Sequence, residues 1–368
     1  MLLTHVVLLS VAAALVAALG FSVLLRRADP AISRLYPEPL LVGTAVASGL
    51  VVVLLCLRSL NFGVDTVAYA ELFTHYCNGG RLSDVEGSFQ AATLLLDGMM
   101  FGACRTSLLP SAWIAAIVLP VLMLAAPWRV KLAYLTAFLL SIIGIELATN
   151  ALRQGLSVGL MLMGIAILTT QAERRRWFAL PFALAAVLFH SSAVLFLAAY
   201  LLARLRWVTF VVSTVFLVWL TLNSLDAQVA LPLASDFIYE IQKYAAHDDD
   251  ELWIRVLAFA CVMAALAAPL LARCPAALGP ALREGPYAIA LRLGVLCVPF
   301  LALPYFGYRF IYGVYPAILF LTLAASFLPG RPPLARSQPQ LLWLLTMNIA
   351  VLLAWSAGSS YMREVPFL

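Results

Sequence analysis

Charged residues are scarce in this sequence. Only 11% of its 368 residues are Asp, Glu, Lys or Arg, and 64% are hydrophobic. A soluble domain is about 25% charged and about 45–50% apolar. A water-soluble globule of this size cannot bury so much apolar surface. The composition therefore excludes a soluble fold and indicates an all-α polytopic membrane protein.

Several functional signatures are also lacking. The net charge of +5 comes from scattered Lys and Arg with no basic stripe or arm, which excludes a nucleic-acid partner. The six cysteines show no CxxC spacing and mostly lie in apolar runs, which excludes a secreted domain held by disulfides. Zinc-ligand spacing, a P-loop, GxSxG, and haem or flavin signatures are missing, so we expect no metal and no cofactor.

Long hydrophobic runs, by contrast, fill the chain. About ten windows have the roughly 20 apolar residues that a spanning helix needs. They lie near 5–25, 39–57, 107–126, 131–149, 152–170, 208–222, 252–272, 287–304, 308–328 and 341–358. Arg26 and Arg27 follow the first window, so we expect a retained span with the N-terminus outside. With no internal repeat, residues 1–368 are expected to form a single integral membrane domain.

One stretch conflicts with simple alternation of the spans. The arginines at 174–176 and the pair Arg204 and Arg206 both favour the cytoplasm, although one mostly apolar stretch separates them. One span would place them on opposite sides, and two full spans do not fit. Because His190, Ser191 and Ser192 interrupt this stretch, we predict that 177–203 is a re-entrant pair of half-helices with its tip at His190. The alternative is a single tilted span.

Two loops are predicted on the exterior side. The larger loop, 58–106, contains a weakly amphipathic stretch at 88–104, which favours a surface or re-entrant helix over a full span. The second loop, 223–251, is acidic. Its Tyr244 has a ring suited to sugar binding, but tyrosines are common in loops.

The larger loop begins with a cluster of polar and aromatic residues. Arg58 ends the second span, and Asp65, Tyr69 and Phe73 share one face if 66–76 is helical, with Asp65 as its cap. A membrane-exit arginine followed by an ordinary capped helix explains the same pattern.

Arg153 and Gln154 open the fifth span at its exterior end. An arginine in the first turn of a helix opposes the helix dipole, and at this end it also violates the positive-inside tendency. These two penalties indicate a compensating anion. Helix N–H groups and a guanidinium suit phosphate or pyrophosphate. The alternative is that Arg153 pairs with nearby Glu146.

Two further groups of unusual residues fall at helix ends. A lone histidine on an apolar helix is usually a hydrogen-bonded core residue, but His190 lies where the helix must break. Arg309 is a second exterior arginine at a helix start, next to Tyr308 of an aromatic belt. The unusual ionisable groups all lie at exterior helix ends, which predicts a site for an anionic substrate at the outer leaflet.

The order of these elements resembles the EpsG family of Wzy-type polysaccharide polymerases. Its members carry a basic residue before Gly-x-Asp-x-x-x-Tyr, here Arg58 and then 63–69, although Val64 stands where the family often has Thr. An Arg-Gln pair and a His-Ser element follow, here Arg153 with Gln154 and His190 with Ser191. The resemblance covers roughly 50–200, and beyond that it rests on hydropathy and Arg309.

The resemblance implies a glycosyltransferase of the bacterial inner membrane with a GT-C-like fold. Such an enzyme transfers a growing glycan from its polyprenyl-pyrophosphate carrier onto a new lipid-linked repeat unit at the periplasmic face. Its expected partners are the lipid-linked oligosaccharide donor and acceptor, membrane lipids, and a chain-length regulator or export complex. An O-antigen ligase-like transferase and a lipid-linked oligosaccharide flippase are the alternatives.

The resemblance also implies roles for individual residues. Arg58, Arg153 and Arg309 would hold the pyrophosphate. Asp65 or His190 would take the proton of the acceptor hydroxyl. Asp65 is favoured, and His190 would then contact the pyrophosphate or orient the acceptor. The expected substrate contacts are Tyr69, Gln154, Ser191, Tyr308 and Tyr244.

Overall fold

The computed structural model describes residues 39–57, 64–81, 87–149, 151–170, 173–215, 252–272, 285–301, 306–327 and 338–358. The regular structure in these ranges is helical, as expected for a chain in lipid, where each segment must satisfy its own backbone hydrogen bonds. The α-helices are α1 Pro39–Cys56, α2 Val64–Cys77, α3 Gly87–Met99, α4 Leu109–Leu122, α5 Trp128–Leu139, α6 Ile142–Thr149, α7 Leu152–Thr170, α8 Ala179–Phe189, α9 Ala193–Ala203, α10 207–215, α11 Leu252–Ala267, α12 Pro286–Phe300, α13 Phe306–Phe327 and α14 Gln338–Gly358. Short 3₁₀ helices precede α4 and α8 and follow α11.

Three of the described helical stretches are long and apolar enough to cross a membrane. They are Leu152–Thr169, Trp253–Leu270 and Gly307–Ala325, and a bent pair of helices makes a fourth if it counts as one span. These three match predicted windows. The count of about ten spans stays a prediction, and the first window, 5–25, lies outside the described residues.

The predicted span 131–149 is wrong as a single helix. α5 and α6 are bent by 81° where they meet. At the bend, the Ser141 hydroxyl donates to the Phe138 carbonyl (2.7 Å) and accepts from the Gly144 N–H (2.9 Å). This side chain therefore satisfies backbone groups that the break sets free. Gly144 is required because a Cβ there would collide with the Phe138 carbonyl.

The helix break predicted at His190 is confirmed, since α8 ends at Phe189 and α9 begins at Ala193. α8 packs along α7, with the Ala179 carbonyl oxygen 3.3 Å from where a Cβ on Gly164 would lie. α8 also packs on α3, and α3 contacts Arg153 near the start of α7, so α8 runs antiparallel to α7.

α9 continues in the opposite direction to α8. Near its start Phe196 packs against Phe310 of α13, and at its end the Ala203 carbonyl accepts a hydrogen bond from Arg292 of α12 (3.0 Å). Phe300 of α12 stacks on Phe310. Arg292 is on the same helix as Phe300, about two turns before it, so Arg292 lies about 12 Å deeper in the bundle than the Phe310 ring. α9 is therefore parallel to α13. The two limbs leave the 190–192 tip towards the same end of the bundle, which is the course that a re-entrant pair requires.

α13 lies at the centre of the bundle. Every residue from 310 to 325 is buried, and α5, α7, α11 and α12 pack around this helix. Peripheral helices instead expose apolar side chains, such as Leu180, Leu184 and Leu188 at four-residue spacing on α8. Such a stripe of exposed leucines is the surface that lipid would cover.

The predicted loop 58–106 contains a covalent link that was not expected from the cysteine spacing. Cys77 at the end of α2 and Cys104 after α3 form a disulfide, with a Cα–Cα distance of 5.5 Å. The sequence held a signal for it, since both cysteines lie outside the apolar runs and within one predicted loop. The helix expected at 88–104 is present as α3, whose 13 residues are too few for a full span.

Candidate functional site

The start of α2 is fixed beside the junction of α6 and α7. The Thr66 hydroxyl donates to the Thr149 carbonyl, which lies just before α7 begins. Asp65 is the second residue of α2, so it lies in the first helical turn, and the predicted helix 66–76 begins earlier than expected. This contact brings the backbone at Asp65 close to the helix start that carries Arg153.

Arg153 rests on an aromatic stack. Its Nη1 donates to the Ser88 hydroxyl (2.5 Å), and its guanidinium carbon lies 3.6 Å from the centre of the Phe89 ring. Phe89 packs on Tyr69 (5.1 Å between ring centres), and Tyr69 meets Trp113 edge-on (5.0 Å). The guanidinium is thus held against a rigid ring at the start of α3. Tyr69 is only 2% exposed, so it supports this stack from beneath.

Gln154 joins two helices of the site. Its Nε2 donates to the backbone carbonyl of Arg309 (2.9 Å), and the side chain is only 3% exposed. The first turn of α7 is therefore attached to the first turn of α13. Arg309 is half-buried, and its neighbour Tyr308 packs edge-on against Tyr312 (5.2 Å).

The orientation of His190 is fixed by the turn that follows it. Its Nδ1 lies 3.2 Å from the Ser192 backbone N–H, which donates to it, and 2.6 Å from the Ser192 hydroxyl. Because a backbone N–H can only donate, Nδ1 acts as an acceptor, and the proton of the neutral ring is on Nε2. Ser191, in the same turn, is exposed.

Helix packing places His190 at the level of both arginines. Gly164 of α7 contacts Ala179 of α8. Arg153 precedes Gly164 by as many residues as His190 follows Ala179. Because the two helices are antiparallel, both residues lie about 16 Å from this contact in the same direction. On the other side, the Phe196 ring occupies the space beside Gly313. Ser192 lies one turn before Phe196, and Arg309 lies one turn before Gly313. Because α9 and α13 are parallel, the 190–192 tip and Arg309 lie at the same level of the bundle.

The structure therefore gathers four of the predicted clusters at one end of the bundle. They come from α2, α7, the 190–192 tip and α13, and their predicted site residues are Asp65, Tyr69, Arg153, Gln154, His190, Ser191, Tyr308 and Arg309. Arg58 and Tyr244 lie outside the described residues. Within those residues, no group of three or more His, Cys, Asp or Glu side chains is arranged to hold a metal ion.

Sequence reasoning missed a buried arginine at this end. Arg255, in the first turn of α11, is 7% exposed, and its Nη1 donates to the Leu301 carbonyl at the end of α12 (2.7 Å). The signal was the one used for Arg153, since Arg255 is also an arginine at the exterior start of a predicted span. Ser88 and Phe89 carried no local signal, because they act only through contact with a distant helix.

Another polar pair links the residue before Cys77 to α3. The Tyr76 hydroxyl donates to Asp97 Oδ2 (3.2 Å). This hydrogen bond to Asp97, together with the negative charge of its carboxylate, raises the pKa of Tyr76 above its ordinary value. Tyr76 therefore stays protonated and remains a hydrogen-bond donor to Asp97 at physiological pH.

Fold and site together define a helical multi-pass membrane protein that concentrates arginines, an amide and a histidine at one end of its bundle. The EpsG family model matches residues 45–328, which is most of the chain. The protein belongs to the EpsG family, and membership implies a membrane protein of exopolysaccharide biosynthesis. The match extends well beyond the 50–200 expected from the motifs and includes Arg255 and Arg309. No curated protein and no solved structure matches the chain.

Proposed function

We propose that this protein is a Wzy-type polysaccharide polymerase. It would join polyprenyl-pyrophosphate-linked oligosaccharide repeat units into an exopolysaccharide or an O-antigen. The observation that carries this proposal is the convergence of Arg153, His190 and Arg309 at one end of a bundle from the EpsG family. A lipid-linked substrate lies in the bilayer with its charged head at the surface, and a site at the end of a helix bundle suits such a substrate.

The donor pyrophosphate is assigned to Arg153 and Arg309. Each arginine lies in the first turn of its helix, where free N–H groups add to the attraction for an anion. Gln154 fixes the two helix starts to one another, so both guanidinium groups would bind the same pyrophosphate. Arg58 stays a predicted third ligand.

The proposed reaction is a displacement at the anomeric carbon of the donor glycan. A hydroxyl of the acceptor unit forms the new glycosidic bond while the bond from carbon to the pyrophosphate oxygen breaks. Asp65 takes the hydroxyl proton, and polyprenyl pyrophosphate leaves with its negative charge stabilised by the arginines. His190 carries its proton on Nε2, so it donates a hydrogen bond to the departing pyrophosphate.

The geometry refines the predicted substrate contacts. Gln154 is buried and donates to a backbone carbonyl, and Tyr69 is packed beneath Phe89, so both are proposed to position the arginines. Ser191 is exposed and Tyr308 half-buried at the same end, where they can contact sugar. Tyr244 stays a predicted contact.

The disulfide supports a periplasmic site. Disulfides persist in oxidising compartments and are rare in the bacterial cytosol. Cys77 and Cys104 enclose the segment that contains Ser88 and Phe89, the two residues against which Arg153 is held. The end of the bundle that carries the site would therefore face the periplasm.

The test uses purified protein in detergent with a synthetic polyprenyl-pyrophosphate repeat unit and no nucleotide sugar. We expect a ladder of regularly spaced products on a gel. Arg153→Ala and Asp65→Asn should each reduce its formation about 100-fold or more, because transition-state charge or the base is lost. Arg105→Ala is the control and should leave ladder formation unchanged, since Arg105 is an exposed arginine of the predicted loop 58–106.

Two results would contradict the proposal. One is unchanged chain elongation by the Arg153→Ala variant. The other is the absence of a ladder from protein that moves the substrate across liposome membranes, which would indicate a flippase. A single transfer to a different lipid acceptor would indicate a ligase-like enzyme.

A further inference from the structure

Arg255 is a buried cation without a described counter-ion. It is 7% exposed, and among the described residues its hydrogen-bond partner is the neutral Leu301 carbonyl. Its Nε is buried and has no acceptor in the part of the chain that the structure describes. Burying a guanidinium with one neutral partner is costly, and an ionisable residue of this kind inside a membrane protein usually marks a functional site.

The position of Arg255 connects it to the proposed substrate site. Its Cδ lies 3.4 Å from where a Cβ on Gly307 would be, only two residues before Arg309. Its guanidinium donates to the carbonyl of Leu301, the residue that follows α12. Arg255 therefore lies against the backbone that presents Arg309, at the same end of the bundle.

We infer that Arg255 is a further anion-binding residue of this site and contacts the pyrophosphate of the lipid-linked substrate from α11. This inference rests on the proposed function for the identity of the anion. One N–H group of the guanidinium holds the Leu301 carbonyl, which orients the fork, and phosphate oxygens would accept from the N–H groups that this carbonyl does not bind. A negatively charged ligand would supply the compensation that the carbonyl does not.

Arg292 provides a matched contrast within the same protein. It is 5% exposed, and it too donates to the carbonyl at the end of a helix, that of Ala203. Its guanidinium also lies over the Trp207 ring at 4.8 Å, and the whole arrangement is deeper in the bundle. The Arg292 Nε also has no acceptor among the described residues, so the two arginines differ in the Trp207 ring that Arg292 lies over and in their distance from the site.

The experiment measures binding of polyprenyl pyrophosphate to the full-length protein in detergent, with polyprenyl monophosphate for comparison. The central variant is Arg255→Gln, which removes the charge and, because glutamine is shorter, also the hydrogen bond to the Leu301 carbonyl. We expect it to weaken pyrophosphate binding about tenfold or more, the usual loss for a hydrogen bond to a charged group. Arg292→Gln is the control and should leave the Kd unchanged. This control variant loses the corresponding charge and its bond to the Ala203 carbonyl.

An Arg255→Gln variant that is folded and binds as tightly as the wild type would overturn the inference. Equal weakening by Arg255→Gln and Arg292→Gln would also overturn it, since both would then act through the fold. Should Arg255→Gln fail to fold, Arg255→Lys carries the test. It keeps the charge without the planar fork, so a several-fold loss of affinity is expected, and unchanged affinity contradicts the role of Arg255.

The binding assay does not depend on polymerisation, so the two proposals can fail separately. Wild-type protein that binds polyprenyl pyrophosphate but forms no ladder would contradict the polymerase while the Arg255 comparison still stands. A wild-type ladder combined with unchanged binding by Arg255→Gln would contradict the role of Arg255 alone.

Discussion

Arg153 and His190 are each held in one orientation by neighbouring residues. The face of the Arg153 guanidinium is held against Phe89, and one of its N–H groups is held by Ser88. The Nδ1 of His190 is occupied by Ser192, so Nε2 carries the proton. Because Nε2 already carries a proton, His190 can donate a hydrogen bond there but cannot accept the acceptor's proton. The proposed mechanism therefore assigns the general base to Asp65.

The tautomer of His190 can be tested with two isosteric substitutions. The side-chain amide of Gln reaches the Nε2 position, whereas the amide of Asn reaches only the Nδ1 position. If His190 donates from Nε2, His190→Gln should keep polymerisation within about tenfold of the wild type, and His190→Asn should lose about 100-fold, as for a lost oxyanion donor. The measurement is the initial rate of ladder formation by both variants. Greater activity of His190→Asn would assign the function to Nδ1.

At the scale of elements, the bend between α5 and α6 determines where α7 begins. The 81° change of direction leads α6 to Thr149, which holds the start of α2 and lies just before Arg153. A straight span over 131–149 would end elsewhere and would separate Asp65 from Arg153. The bend depends on Ser141, which replaces lost backbone hydrogen bonds, and on the missing side chain of Gly144.

Gly144→Ala should therefore destabilise the protein. The added methyl group would collide with the Phe138 carbonyl, and backbone shifts of this kind cost about 1–3 kcal/mol. The measurement is thermal unfolding in detergent, followed by tryptophan fluorescence. Gly49→Ala is the control, because a Cβ on Gly49 of α1 meets nothing within 4 Å, and alanine is the better helix former there. Equal melting temperatures for the two variants would show that the bend tolerates a side chain.

At the scale of the whole molecule, the disulfide and the site lie on the same side of the bundle. The link between Cys77 and Cys104 closes the segment that contains α3, and α3 supports Arg153. Orientation in the membrane and integrity of the site are thus coupled. Insertion with the site facing a reducing compartment would leave α3 without its covalent anchor.

Cys77→Ser should lower the free energy of unfolding by about 3 kcal/mol, the effect expected for a closed loop of this size. It also frees Cys104, which is exposed. With the site facing the periplasm, a membrane-impermeant maleimide should label Cys104 in intact spheroplasts. A cysteine introduced by Arg206→Cys should react only after lysis. Peptide mass spectrometry identifies the labelled residue, and the opposite pattern would reverse the proposed orientation.

The features that could be predicted from the sequence are those encoded in neighbouring residues. The helix break at His190 was predictable because three polar residues interrupt an apolar run and basic residues flank it. The position of Arg153 in the first turn of a helix was predictable because an apolar run begins there, and the anion that would compensate its charge stays a prediction. The bend at 140–141 was not predictable, because the apolar residues on both sides of it have the composition of a straight span.

Composition and local pattern alone determined that this chain is a helical membrane protein with arginines at helix starts and the motif order of its family. These properties depend on transfer free energies and helix dipoles, which act within a single segment. Only the tertiary structure decided which segments meet. Ser88 and Arg153 are 65 positions apart, and Gln154 and Arg309 are 155 apart. Contacts over such separations are selected by how helices pack, and packing also decided the disulfide pair and the burial of Arg255.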